Sequence, residues 1–137
     1  MIMGREEWLE YKKQLRERLR VFTLQILKLS EQLPDHTRGR TVNNQITKSG
    51  TSMYANYRAA LRGRSKREFF SKLSIVVEEA DETEMWLDLI IESKLLVNEL
   101  VIEMHRESLE LLRILASMRR KLVRSERVSN IGSDGVD

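Results

Sequence analysis

Residues 55–86, ANYRAALRGRSKREFFSKLSIVVEEADETEMW, decide the fold, because they hold the end of one helix, a turn and the start of the next. Ser65-Lys66-Arg67-Glu68 has the S-x-x-E form of a capping box, in which the Ser65 hydroxyl accepts from the Glu68 amide and Glu68 reaches back to the Ser65 amide. A helix is therefore expected to open at Lys66. Gly63, just upstream, suits the left-handed conformation in which many helices end, so the segment reads as helix, tight turn, helix. Arg62, Arg64, Lys66 and Arg67 give that turn a dense positive charge.

Working outward, apolar residues recur at spacings of three and four along four segments. The first helix is expected at about 5–32, on Trp8, Tyr11, Leu15, Leu19, Phe22, Ile26 and Leu29, with Pro34 stopping it. The second is expected at 41–62, capped by Thr41, with Val42, Ile46, Met53, Tyr57 and Leu61 inward and a row of small groups at Ser49, Ser52, Asn56, Ala59 and Gly63. The third, 66–92, carries Phe69, Leu73, Val76, Ala80, Leu87 and Ile90, with Thr83 as one polar interruption. The fourth, 98–124, follows Val101, Met104, Leu111, Leu115, Met118 and Leu122. No strand pattern competes, so the fold class is all-α: an antiparallel up-down-up-down four-helix bundle over residues 1–124, with a tail at 125–137 expected to be disordered.

The apolar positions exceed what one bundle needs. Phe70, Ile75, Val77, Trp86 and Leu89 lie off the main row of the third helix, and Leu9, Val21, Leu24 and Leu27 off that of the first. Either the core stripe is broad or these residues form a subunit interface, and the width of the apolar faces favours a homo-oligomer.

At 137 residues the chain is expected to be one domain. One third of its residues are charged, and no apolar run approaches the roughly 20 residues of a membrane span. MIMGREEW lacks the apolar stretch of a signal peptide, so no membrane partner and a cytoplasmic location are expected. With no cysteine, disulfides, thiolate nucleophiles and Cys-bound zinc are excluded.

The net charge of +3 is small, but its distribution is uneven. Residues 38–72 hold nine Lys/Arg against the single acid Glu68, residues 73–111 hold eleven Asp/Glu against Lys94 and Arg106, and residues 112–127 hold six Lys/Arg against Glu126. Antiparallel topology gathers Arg58, Arg62, Arg64, Lys66, Arg67, Lys72, Arg119, Arg120, Lys121 and Arg124 at one end, near Lys12, Lys13 and Arg16. A clustered basic surface suits the phosphates of RNA or DNA. Two structural readings stay open beside it: basic residues near helix C-termini complement the helix dipole, and basic and acidic segments can pair between subunits. Few aromatics lie among these residues in sequence, so any binding is expected to be directed at the nucleic-acid backbone.

An enzyme is not expected. The phosphate-loop and nucleophile-elbow motifs are absent, and the residues three before His36 and His105 are Leu33 and Ile102, so the paired Glu-x-x-His of a di-iron bundle is missing. No catalytic residue, cofactor or metal is therefore assigned. Glu79 and Glu82 flank the apolar stripe and are expected to bond Arg58, Asn56 or a neighbouring subunit's arginine, and His105 to sit at the core boundary.

Residues 49–96, through ANYRAA, RSKREF and EEADE-x-x-x-WL, resemble the bacterial four-helix-bundle proteins encoded in or related to large-subunit ribosomal RNA intervening sequences. That resemblance implies an up-and-down bundle assembling as a homopentamer, with no settled biochemical role. The family is in turn similar to accessory proteins of diversity-generating retroelements, basic pentamers that partner a reverse transcriptase and bind nucleic acid. The acidic third helix departs from those proteins. Carried onto this chain, the family motif covers Asn56, Arg58, Arg64, Ser65, Glu68, Glu79, Asp81, Glu82 and Trp86 without catalytic roles. With Ile75 and Leu89, the residues Ser65, Glu68, Glu79, Glu82 and Trp86 are read as structural or interface positions. The leading expectation is a non-enzymatic homo-oligomer binding nucleic acid as an accessory factor; the alternative is a scaffold with a protein partner.

Overall fold

A computed structural model describes the backbone of residues 3–134 and the side chains of residues 3–125. It contains four helices, α1 (Arg5–Gln32), α2 (Thr37–Leu61), α3 (Lys66–Glu92) and α4 (Glu99–Asp134), and no strand among the described residues. Each helix packs on its sequence neighbours and α1 closes onto α4, as an up-down bundle requires. One apolar cluster runs through the middle, built from the expected rows: Leu19, Phe22 and Ile26 of α1, Ile46, Met53 and Tyr57 of α2, Leu73, Val76 and Leu87 of α3, and Met104, Leu111 and Leu115 of α4. Burying each large apolar side chain contributes about 1.5–3 kcal/mol relative to leaving it in water.

The α2–α3 turn follows the expected bounds, with two changes of detail. Ser65 caps α3, its hydroxyl accepting from the Glu68 amide at 3.1 Å. Glu68 reaches back one residue further than expected, accepting from the Arg64 amide at 2.6 Å rather than from Ser65. Gly63 is not left-handed: α2 closes on Arg62 with φ −91°, and the Gly63 amide donates to the Ala60 carbonyl at 3.1 Å. A Cβ on Gly63 would sit 3.1 Å from that carbonyl oxygen and 3.3 Å from the Glu68 Cβ, so the glycine permits a close approach of two helix ends.

α2 starts at Thr37, earlier than the expected Thr41. His36 is its cap, with Nδ1 accepting from the Gly39 amide at 3.1 Å, while the Thr41 hydroxyl donates to the Thr37 carbonyl within the helix. Gly39 fits there because the chain doubles back so tightly after Pro34 that a Cβ would lie 2.0 Å from the Pro34 carbonyl oxygen. Asn98 opens α4, accepting from the Val101 amide at 3.0 Å. The α4 backbone continues to Asp134, past the expected end at Arg124. Loss of an apolar stripe removes a packing face but does not interrupt the i to i−4 hydrogen bonds, and no proline follows. Residues 135–137 of the expected disordered tail lie outside the described residues.

The row of small residues on α2 is used where it meets α1 and α3. A Cβ on Gly50 would lie 2.7 Å from the Ile26 side chain. Ser49 and Thr83, both fully buried, share a 2.9 Å hydrogen bond between their hydroxyls, and Thr83 also donates to the Glu79 carbonyl at 2.7 Å. The polar interruption in the α3 stripe thus has its partner on the small-residue face of α2. α3 ends in a Schellman motif, with Leu95 N–H to the Ile90 carbonyl and Lys94 N–H to the Ile91 carbonyl, both at 3.1 Å. Lys94 occupies its left-handed position at φ 57°, and Leu95 tucks into the core.

Candidate nucleic-acid interface at the basic end

The start of α1, the end of α2, the start of α3 and the stretch of α4 at Leu122 meet around one hollow of about 340 Å³. Trp8 and Lys12 come from α1, Leu61 from α2, Arg64 and Ser65 from the turn, Lys66 and Phe69 from α3, and Leu122 from α4. Across the turn a second hollow of about 370 Å³ is lined by Arg62, Arg64, Glu68 and Lys72 among others. Arg64 therefore stands on a ridge between two concave surfaces.

Arg62, Arg64, Lys66, Arg67, Lys72, Arg120, Lys121 and Arg124 are exposed. Among the described residues, none of these eight has a carboxylate within ion-pair distance. Arg58 and Arg119 behave differently. Arg58 lies over the Tyr54 ring at 5.6 Å, and Arg119 lies over Phe70 at 4.9 Å while its Nε donates to the Ser74 hydroxyl at 2.9 Å. Both guanidinium groups are held against their own bundle, Arg119 across the α3–α4 seam. Among the described residues the ten basic groups thus divide into eight without a carboxylate partner and two held by aromatic rings.

Sequence reading missed the aromatic residues at this end. Trp8 and Tyr11 stack with ring centroids 6.0 Å apart and planes 15° apart, and the Lys12 ammonium lies 5.4 Å from the Trp8 ring and 5.3 Å from the Phe69 ring. Burial pushes the Lys12 ammonium below the usual lysine range. Below it, the buried Tyr57 hydroxyl donates to the Lys12 carbonyl at 3.0 Å, and burial, helped by Tyr11, pushes that phenol well above its ordinary value. Trp8 and Phe69 are far apart in sequence, so only the helix directions, laid over the basic segments, could have placed them together.

The acidic segment forms its own surface. Glu78, Glu79, Asp81, Glu82 and Met85 line an open depression on the outside of α3. Burial, and then Glu82, raise the Glu79 carboxyl above the usual range. Of the partners expected for Glu79 and Glu82, the two within the chain are not bonded to them: Asn56 donates to the Ser52 carbonyl at 3.0 Å, and Arg58 stays on Tyr54 of its own helix. An inter-helix ion pair lies elsewhere, between Arg18 of α1 and Glu107 of α4 at 2.6 Å with Glu110 at 3.2 Å. His105, half-buried as expected, meets Glu84 of α3 at 3.2 Å. Among the described residues no group of three or more His, Asp or Glu could hold a metal ion, and no helix is long and apolar enough to cross a membrane. Ile75 and Trp86 are half-buried on the flank of α3, the Trp86 indole N–H buried without an acceptor, and Leu89 is 45% exposed.

Among the described residues the chain is an all-α four-helix bundle with eight exposed cations, none paired with a carboxylate, gathered at one end. Residues 12–117 match the family model described as 23S rRNA-intervening sequence protein, and the chain belongs to that family. It is also similar to a crystal structure of a protein with unknown function from the S23 ribosomal protein family of Bacteroides thetaiotaomicron VPI-5482. The two share 30% identity over 80% of this chain and 97% of the other, with a TM-score of 0.72. No curated protein matches the sequence.

Proposed function

We propose that this protein is a non-enzymatic, cytoplasmic homo-oligomer whose basic end binds the phosphate backbone of RNA or DNA as an accessory to a nucleic-acid process. The observation that carries the reading is the set of exposed cations at Arg62, Arg64, Lys66, Arg67 and Lys72, on the α2–α3 turn and the start of α3, that have no ion-pair partner among the described residues. Positive charge that no described carboxylate neutralises is available to phosphates, and releasing their counterions supplies the affinity. Dipole complementation accounts for Arg58 and Arg62 at the end of α2, but not for Lys66 and Arg67, which stand at the N-terminus of α3, where positive charge is unfavourable.

Self-association is supported by outward apolar residues. Val21, Leu24 and Leu27 face away from the core on α1 and are 45%, 52% and 46% exposed, as are Met85 and Leu89 on α3 at 42% and 45%. A pentamer is the arrangement the family resemblance implies. The acidic depression beside Met85 favours a second reading, in which a protein partner or the basic segment of a neighbouring copy docks on α3 and no nucleic acid binds.

Fluorescence anisotropy of labelled structured RNA and duplex DNA across a salt series separates the two. Binding that weakens steeply with salt and collapses in Arg64→Glu/Arg67→Glu supports the first reading; no binding at low salt discards it. Light scattering of the same samples reports the subunit number.

A further inference from the structure

Lys12 is an ammonium with two rings and no counter-ion. It lies within 5.4 Å of both the Trp8 and Phe69 centroids, is drawn partly out of water, and has no carboxylate within ion-pair distance among the described residues. It lines one hollow together with exposed Arg64 and Lys66. Aromatic area with cations around it is the combination that recognises a planar ring bearing a phosphate. In the surrounding turn the Arg64 amide donates to Glu68 and the Glu68 amide to the Ser65 hydroxyl, so neither amide is left for an anion and the side-chain cations carry the charge that meets one.

We propose that this hollow holds an unpaired nucleotide of an RNA or DNA strand, its base against Trp8 and Phe69 and its phosphate on Lys12, Arg64 and Lys66. The proposal rests on the reading of the basic end as a nucleic-acid surface and narrows it from backbone to base. A duplex keeps its base faces stacked inside the helix and offers the hollow only phosphates. A strand with free bases offers both parts of the ligand. The volume of about 340 Å³ lies at the lower end of the range for small-ligand sites, which suits one nucleotide rather than a helix. The basic residues on the ridge and along α4 then track the neighbouring phosphates.

The test compares three labelled probes of equal phosphate count by anisotropy at one salt concentration: a single strand, the matching duplex, and a strand of abasic sugars. RNA and DNA versions of the single strand show which sugar is preferred. The intact single strand is expected to bind about tenfold more tightly than the abasic strand, the scale of one base stacked on an aromatic side chain. Trp8→Leu, checked for retained helicity, is expected to narrow that ratio toward one, whereas Arg64→Glu/Lys66→Glu weakens all three probes. Equal binding of intact and abasic strands, or an undiminished ratio in Trp8→Leu, overturns base recognition while leaving the backbone reading standing. Failure of every probe to bind overturns both.

Discussion

Replacing Thr83 with valine keeps the shape of the side chain and deletes one hydroxyl from a position with no solvent exposure. The deletion strands Ser49, also fully buried, whose remaining contact is a long 3.4 Å approach to the Ile46 carbonyl. An unsatisfied buried hydroxyl costs about 1–3 kcal/mol, so Thr83→Val is expected to lose about 2 kcal/mol. In a bundle of this size that lowers Tm by roughly 6 °C. Ser49→Ala alone is much milder, because Thr83 keeps its 2.7 Å bond to the Glu79 carbonyl, and alanine favours the helix. The double variant Ser49→Ala/Thr83→Val leaves no orphan and is expected to recover about 1 kcal/mol relative to Thr83→Val. Urea midpoints followed by far-UV circular dichroism measure all four proteins, at one fixed chain concentration because assembly adds to apparent stability. A Thr83→Val midpoint equal to the parent, or a double variant whose loss is the plain sum of the singles, would refute the account of a mutually satisfied buried pair.

Three further outcomes follow from other sites. Ser65→Ala removes the hydroxyl that accepts from the Glu68 amide and is expected to cost about 1 kcal/mol in the same denaturation assay, whereas Ser65→Asp retains the cap. Lys94→Gly relieves a left-handed lysine at φ 57° and is expected to stabilise by about 1 kcal/mol; an unchanged or lowered midpoint contradicts the strain. Burial raises the Tyr57 phenol above its unfolded value of about 10, so above that pH the unfolded chain releases a proton that the folded one retains. Stability should therefore fall as pH rises beyond about 10, and Tyr57→Phe should remove that part of the alkaline loss; a slope identical to the parent's counts against it.

The core and the turn were legible because both rest on local rules. The α3 row from Leu73 to Ile90 is a plain helical period, and Ser65 with Glu68 marks its start by side-chain chemistry alone. The start of α2 was not legible, because Gly39 reads as a helix breaker until the return of Pro34 over it is known. The end of α4 was missed because a hydrophobic period reports burial, not hydrogen bonding of the backbone. At the basic end the charges were found from their blocks, since Arg62, Arg64, Lys66, Arg67 and Lys72 lie close together in sequence. Trp8, Lys12 and Phe69 escaped because what unites them is a crossing of helix ends. Of the partners expected for Glu79 and Glu82, Arg58 is turned away within the chain because it shares a helix face with Tyr54 four residues earlier, and the ring claims it.

The four seams of the bundle are unequal. α2 and α3 share the most extensive packing and the buried hydroxyl pair, whereas α1 and α4 touch least and are bridged by the half-exposed Arg18 with Glu107 and Glu110. Ion pairs near water hold weakly, so the first and last helices part at a lower free energy than the central hairpin unfolds. Amide hydrogen exchange should then run in two tiers, with α1 trading its protons for deuterium through partial opening while the α2–α3 hairpin waits for global unfolding, and added salt should quicken the first tier alone.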